Sequence, residues 1–251
     1  MIDARLDEAP RAGPVPRLEL ESWRAAYGLV AGVTGRGAGF NLGLFSDEPR
    51  AQVTARWEAL FGEMRPGFRG FAVGRQVHAR RLATHGPTLA GWQVLDGVDG
   101  HLTAHPGVLL FVTVADCVPI YLAHPDSGAV ALLHAGWRGI AAGMLETGVS
   151  ALCDLTKSVE SAIVMHCGVA ICGTCYEVGS EVHAAVRHVA EPARGPLDLR
   201  AELLARAGRL GIRQATASGW CTAHHRDRFF SHRASGGVDG RMVAYLGRPL
   251  S

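Results

Sequence analysis

The sequence predicts an α+β fold in which mixed β-sheets are flanked by helices in a layered sandwich. Three observations carry this. Eight strand-like segments run along the chain with only four segments of helical spacing among them, so strands and helices do not alternate as a regular parallel doubly wound sheet requires. Residues 118–135 contain two β-prone runs about a polar turn cluster, the pattern of an antiparallel hairpin. A hydrophobic content of 48% over 251 residues supplies a sizeable core, and no repeat or Pro/Gly-rich linker follows residue 20. One domain over 19–251 is therefore expected.

The elements follow in order. Residues 1–18, charged and proline-bearing, are expected to form a flexible N-terminal arm. GLVAGVT at 28–34 is a short strand, and GRGAGFNLG at 35–43 is a glycine-rich loop that lacks the lysine of a phosphate-binding P-loop. Ser46 suits an N-cap, with Pro49 in the first turn of a helix running to about Met64. Strands are predicted at 70–78, 93–103, 107–117, 118–124, 128–135, 161–168 and 241–246, and helices at 139–153, 179–190 and 198–210.

Charge and cysteine usage exclude several classes. The 25 Lys and Arg residues nearly cancel the 23 Asp and Glu, leaving +2, and Lys157 is the only lysine. Without a basic stripe, a nucleic-acid partner is not expected. No apolar run approaches the roughly 18 residues needed to span a bilayer, since 108–123 is interrupted by Asp116 and Pro119. The N-terminus has no apolar core of the kind a secretory signal needs, and six cysteines in so long a chain read as free thiols, so a cytoplasmic location is expected.

The hairpin carries the chemistry. HPDSG at 124–128 separates VPIYLA from AVALLHA, and folding about Asp126 places Cys117 opposite His134. Cross-strand Cβ atoms at such positions lie roughly 4.5–5.5 Å apart. A slip of one residue would put the two on opposite faces. A lone cysteine or histidine here would be a packing residue, but the pair together suggests a reactive site. Asp116 beside the thiol and Arg138 just past the imidazole are its nearest charges in sequence. Two chemistries suit it. The imidazole could activate the thiol as a nucleophile, or both could ligate zinc with a third ligand, leaving the fourth position open. His78, in GRQVHARR, could be that third ligand, but spacing alone does not select it over His85, His101 or His105.

QVH at 76–78, ADC at 115–117, HAGWRG at 134–139, CYEVG at 175–179, and FFSHR at 229–233 followed by GR at 240–241 occur in this order. Together they resemble the signature of the YfiH-type laccase-domain family, whose members are also described as purine nucleoside phosphorylases, multicopper polyphenol oxidases or peptidoglycan editing factors. The resemblance runs from about residue 28 to 246. It implies a YfiH-like fold and one zinc held by His78, Cys117 and His134, with copper the lesser alternative. It implies a purine nucleoside and phosphate as partners: phosphorolysis of adenosine, inosine, guanosine and methylthioadenosine, and deamination of adenosine. Asp99, in GVDGHLT, and Asp116 would orient a ligating imidazole or move a proton. Arg138 would hold phosphate or polarise a leaving group, and Asn41 and Gln76 would read a base or ribose edge. The rival readings are a cysteine-type amide hydrolase acting on peptidoglycan precursors and a copper-dependent polyphenol oxidase. Against the latter stands a single three-ligand site where a multicopper enzyme needs many histidines.

The chain departs from the family pattern at two places. The glycine-rich loop before FNLG is compressed, and a GPAIGPCCYEVG-like segment appears as GVAICGTCYEVG. The latter leaves Cys172 and Cys175 in a C-x-x-C spacing close to His166 and Cys167, with a metal-like CTAHH at 221–225. The simpler expectation is packing cysteines in a loop and solvated histidines in another.

Overall fold

The computed structural model describes residues 4–190 and 193–250. The chain begins with β1 (Ala4–Arg5), β2 (Ala9–Arg11), β3 (Arg17–Glu19), α1 (Glu21–Tyr27), β4 (Val30–Thr34) and α2 (Arg50–Met64). Strands follow in succession: β5 (Gly70–Arg75), β6 (Leu82–His85), β7 (Gly91–Asp96), β8 (Gly100–Thr103), β9 (Val108–Val114), β10 (Val118–His124) and β11 (Ala129–Ala135). Helices α3 (Trp137–Ala141) and α4 (Met144–Thr156) come next, then β12 (Val164–Cys167), β13 (Glu177–Val178), α5 (Ser180–Arg187) and β14 (Gly195–Pro196). The chain closes with α6 (Leu199–Leu210), β15 (Gln214–Ala217) and β16 (Met242–Gly247).

Two mixed seven-stranded sheets result, in the orders β1-β15-β12-β10-β11-β8-β6 and β2-β3-β4-β16-β9-β5-β7. Strand alternation sorts their side chains into three cores. Tyr121, Ala123, Val130 and Leu132 of the first sheet meet Leu110, Val112, Val114 and Ala244 of the second. Ile120, Leu122, Ala131 and Leu133 point the other way, onto Ile140, Val149, Val182 and Leu203 of α3 to α6. Phe111, Val243 and Tyr245 point away from the inter-sheet layer onto Trp57, Leu60 and Phe61 of α2. The molecule is thus a helix–sheet–sheet–helix sandwich, which accounts for strands that read as continuous apolar runs: both faces are covered. No helix among the described residues is long and apolar enough to cross a membrane.

Several expected elements break where the chain must turn into a site. The predicted strand 93–103 is divided by Gly97, whose φ of 70° takes the chain from β7 in the second sheet to β8 in the first. The predicted helix 139–153 is divided at Gly143 (φ 86°) into α3 and α4. Strand 70–78 stops at Arg75 and strand 107–117 at Val114, because His78 and Asp116 adopt left-handed conformations with φ of 59° and 84°. Ser46 does not cap α2. Its hydroxyl donates to the Gly43 carbonyl, and the helix starts at Arg50.

The arm expected at 1–18 is part of both sheets from residue 4 onward, while residues 1–3 lie outside the described residues. β1 lies parallel to β15, and β2 and β3 extend the second sheet at β4. Glu8 is buried and accepts from the Ser218 hydroxyl (2.6 Å), and it shares a 3.3 Å contact with His166 Nε2. These partners lie 158 to 210 positions away in sequence, which is why composition alone suggests a loose segment.

One polar feature of the core predicts a pH response. His85 Nε2 and His101 Nδ1 share a 2.9 Å hydrogen bond, and His101 Nε2 is buried without a partner among the described residues. Burial lowers both imidazoles, and His101, also opposed by His85, falls to about 3. The unfolded chain takes up a proton near 6.5 that the folded chain refuses, so stability is complete above that pH and falls as pH decreases. About 2 kcal/mol should be lost by pH 5, at about 1.4 kcal/mol per pKa unit. Denaturant midpoints measured from pH 8 to pH 5 should show this slope, and His101→Gln should flatten it.

Candidate metal centre

His78, Cys117 and His134 come together where three strands end. Each offers one ligand atom, and the three atoms lie within 4.8 Å of one another. The imidazoles of His78 and His134 stand edge to face, 4.8 Å between centroids. The hairpin register is displaced by two residues from that expected: Pro119, not Cys117, lies opposite His134. A two-residue displacement preserves the face, so Cys117 reaches His134 as a diagonal neighbour from the last position before β10.

Asp99 organises the two histidines. Its carboxylate accepts from the backbone N–H groups of Val77 (3.0 Å), His78 (2.8 Å) and Ala79 (3.2 Å), and from His134 Nδ1 (3.1 Å). Three successive N–H groups around one carboxylate hold the left-handed turn at His78, which for a residue other than glycine costs roughly 1–2 kcal/mol. The bond to Nδ1 leaves His134 Nε2 as the nitrogen free to ligate. Burial alone would raise Asp99, but His134 and the backbone donors outweigh it and leave its carboxyl below the ordinary value. Burial likewise opposes a thiolate at Cys117, yet His134 and His78 bring the thiol down to about 6. Burial opposes charge on His134 too, and Cys117 and Asp99 together raise it to about 9.

The other residues singled out from sequence occupy varied positions. Asp116 precedes Cys117 and accepts from the hydroxyls of Thr222 (2.5 Å) and Ser231 (2.8 Å) and from Arg233 N–H (2.6 Å). Its strained backbone is therefore held by three donors, none of them a ligand of the triad. Arg138 is exposed, with its guanidinium 4.3 Å from the Trp137 ring centroid. It is not among the residues that line the cavity beside the triad. Gln76 exchanges two hydrogen bonds with the Thr113 backbone, 2.6 and 2.9 Å, and so fastens the segment carrying His78 to β9. Asn41 Oδ1 accepts from Gly43 and Arg241 N–H, and its amide donates to Ser46 and Glu48. It thereby closes the loop that forms the cavity wall.

That cavity, about 850 Å³, is lined by the triad together with Asn41, Gln76, Phe45, Phe230, His232 and Arg241 among others. His232 and Arg241 belong to the FFSHR and GR motifs, the one signal in the sequence that could have marked them. His85, His101 and His105, left open as third ligands, are not in the triad. Neither is His166, which turns into the inter-sheet layer against Glu8 and Thr216.

Gly136 is the glycine this geometry requires. A Cβ there would lie 2.9 Å from Cys117 Sγ and 3.2 Å from His78 Cδ2. Gly136→Ala should therefore displace the donors and weaken metal binding by about 10- to 100-fold, the range for disturbed outer-shell support. Competition with a chromophoric chelator measures this.

A mixed nitrogen and sulfur donor set with an aligned outer carboxylate fits a transition-metal ion. A family model described as multi-copper polyphenol oxidoreductase laccase matches residues 29–249. A purine nucleoside phosphorylase of Deinococcus radiodurans is 34% identical over 221 residues, covering 84% of this chain and 83% of that protein. Adenosine deaminase RL5, from an unknown prokaryotic organism, is 33% identical over 193 residues, covering 69% and 73%. YlmD from Geobacillus stearothermophilus superposes with a TM-score of 0.86 at 29% identity, over 96% of this chain and 99% of that one. The YfiH protein of Bacillus licheniformis superposes with a TM-score of 0.83 at 25% identity, over 94% and 99%. The ordered motifs, the layered sheets and the donor triad therefore have one common explanation, that this chain belongs to the multi-copper polyphenol oxidoreductase laccase family of YfiH-type proteins.

Proposed function

We propose that this chain is a cytoplasmic, zinc-dependent purine nucleoside phosphorylase, with adenosine deamination as a second activity of the same site. The supporting observation is that the His78, Cys117 and His134 donors line a cavity large enough for a nucleoside beside a phosphate. His78, Cys117 and His134 would hold the ion, which would remain open to an exchangeable ligand from the cavity. Zinc, when bound, supplies Lewis-acid chemistry at the triad.

The protein groups supply the rest. Phe45, 59% exposed, offers a ring face on which a purine can stack. Arg241, its Nη1 anchored by the carbonyls of Asp239 and Gly240, places positive charge on the wall for phosphate, the role that the sequence suggests for Arg138, which does not line the cavity. In phosphorolysis a phosphate oxygen bonds to the ribose C1′ while the C1′–N9 bond breaks. The base leaves with the electron pair and takes a proton, which the His232 imidazole in the wall is placed to carry. In deamination water adds at the purine C6 and ammonia departs. Asp99 acts by holding the ligands, and Asn41 and Gln76 by fixing the wall and the His78 segment.

Chromatography of adenosine incubated with the zinc-loaded protein, with and without phosphate, tests this. Adenine and ribose 1-phosphate formed only with phosphate are expected, with inosine as the deamination product. Unchanged adenosine, inosine, guanosine and methylthioadenosine would sink the proposal. A second reading, a cysteine-type amide hydrolase acting on peptidoglycan precursors, draws on the Cys117 thiol lying within 4.8 Å of a ring nitrogen of His134. Covalent capture of Cys117 by such a substrate, unaffected by chelators, would favour it.

A further inference from the structure

The C-x-x-C segment and the CTAHH segment, distant in sequence, converge in the fold. We propose that Cys172, Cys175, Cys221 and His224 form a second metal centre, a closed four-ligand zinc site that braces the base of the first. One ligand atom from each of the four can be chosen so that all lie within 4.8 Å of one another. His224 Nε2 is 3.1 Å from Cys175 Sγ, and its Nδ1 is 3.8 Å from Cys172 Sγ. Ligands of a tetrahedral zinc, at about 2.3 Å for sulfur and 2.0 Å for nitrogen, stand about 3.5–3.8 Å apart, so a small contraction and a turn of the exposed imidazole complete the set.

The local backbone suits ligation. Cys172 and Cys175 bracket a 3₁₀ turn, Gly173–Cys175, in which Cys175 N–H donates to the Cys172 carbonyl at 3.1 Å. Two sulfurs thus face one point at the C-x₂-C spacing of structural zinc sites. Cys172 N–H donates to Cys221 Sγ at 3.3 Å, the kind of bond that stabilises a thiolate. Packing does not account for the group, because Cys172 and Cys175 are only half-buried and His224 is exposed. Three thiolates and an imidazole are soft donors with no place left for water, which selects zinc in a structural rather than reactive role.

The site would tie together two loops that both hold Asp116. Ile171 N–H donates to the Asp116 carbonyl at 3.1 Å, and the Thr222 hydroxyl donates to its carboxylate. Ile171 and Thr222 each adjoin a proposed ligand, and Asp116 adjoins Cys117. A metal clamp on residues 172–175 and 221–224 would therefore steady the left-handed turn that presents the Cys117 sulfur.

Metal content of the full chain, loaded with zinc and desalted, tests the assignment. Two zinc ions per chain are expected. Cys175→Ser and His224→Ala, both changes at accessible side chains, should each leave one, and His224→Cys should restore two. His134→Ala should also leave one, and cobalt in that variant should give strong thiolate-to-cobalt charge transfer that disappears on adding Cys175→Ser. One zinc in the parent chain that His134→Ala removes entirely would overturn the proposal. So would two zinc ions retained by the Cys175→Ser/His224→Ala variant, or a non-reduced mass lighter by two hydrogens, which would mark a Cys172–Cys175 disulfide instead. Because His134→Ala removes only the first site, failure of this second centre is distinguishable from failure of the proposed activity.

Discussion

Cys117→Ala should abolish metal binding at the triad and reduce phosphorolysis of adenosine to background. The sulfur would be the single anionic ligand of the proposed triad, and two imidazoles alone cannot complete a site that needs three protein donors. The fold should survive the change. Cys117 is half-buried, its sulfur faces the cavity, and it lies outside the apolar clusters that hold the sheets together. Metal analysis and thermal unfolding on one preparation separate the effects: metal at the triad should be lost while the metal-free unfolding temperature stays within a few degrees of the parent. Full activity in a Cys117→Ala protein would refute both the ligand and the nucleophile roles. Activity lost from a parent protein that never bound metal at this site would favour the hydrolase reading.

Asp99→Ala should destabilise the chain by about 3 kcal/mol, since removing the acceptor strands donors that each cost about 1–3 kcal/mol when buried and unpaired. Four donors lose their partner: the N–H groups of Val77, His78 and Ala79, and His134 Nδ1. The estimate lies well below four full penalties because Val77 and His78 are exposed and water can reach that turn. Asp99→Asn keeps the volume but presents an amide where four donors converge, and metal affinity should fall about 10- to 100-fold. As a positioning residue, Asp99 should be distinguishable from a proton donor. With saturating zinc, Asp99→Asn should recover most of its kcat and keep the parental pH profile, whereas loss of a general acid would remove one limb of that profile.

Much of this was legible in the chain itself. Hydrophobic runs separated by turn residues placed the β10–β11 hairpin to within a residue, because that pairing is local and HPDSG admits little else. Parity then put Cys117 and His134 on one face even though the register was displaced by two, since side chains repeat every second residue. His78 could not be chosen from four candidate histidines by spacing. The QVH motif points to it through the family resemblance, and what carries it to the pair in the fold is the Asp99 carboxylate closing on residues 77–79, a contact across 20 to 22 positions.

Asn41 and Gln76, polar residues that sequence suggests for reading a substrate, have their hydrogen-bonding groups committed to the loop and to β9. Arg241 and His232 reach the cavity wall from the far end of the chain. The N-terminal arm is fixed by Glu8, whose partners lie more than 150 residues away. By itself, then, the sequence determined the strand-rich class, the hairpin, the thiol–imidazole pair and the family. The tertiary structure alone decided how His78 is carried to the pair, the ordered arm, the cavity wall and the meeting of Cys172 and Cys175 with Cys221 and His224. Local periodicity encodes which face a residue occupies, whereas contacts between distant loops depend on how two sheets stack, and no short-range pattern carries that information.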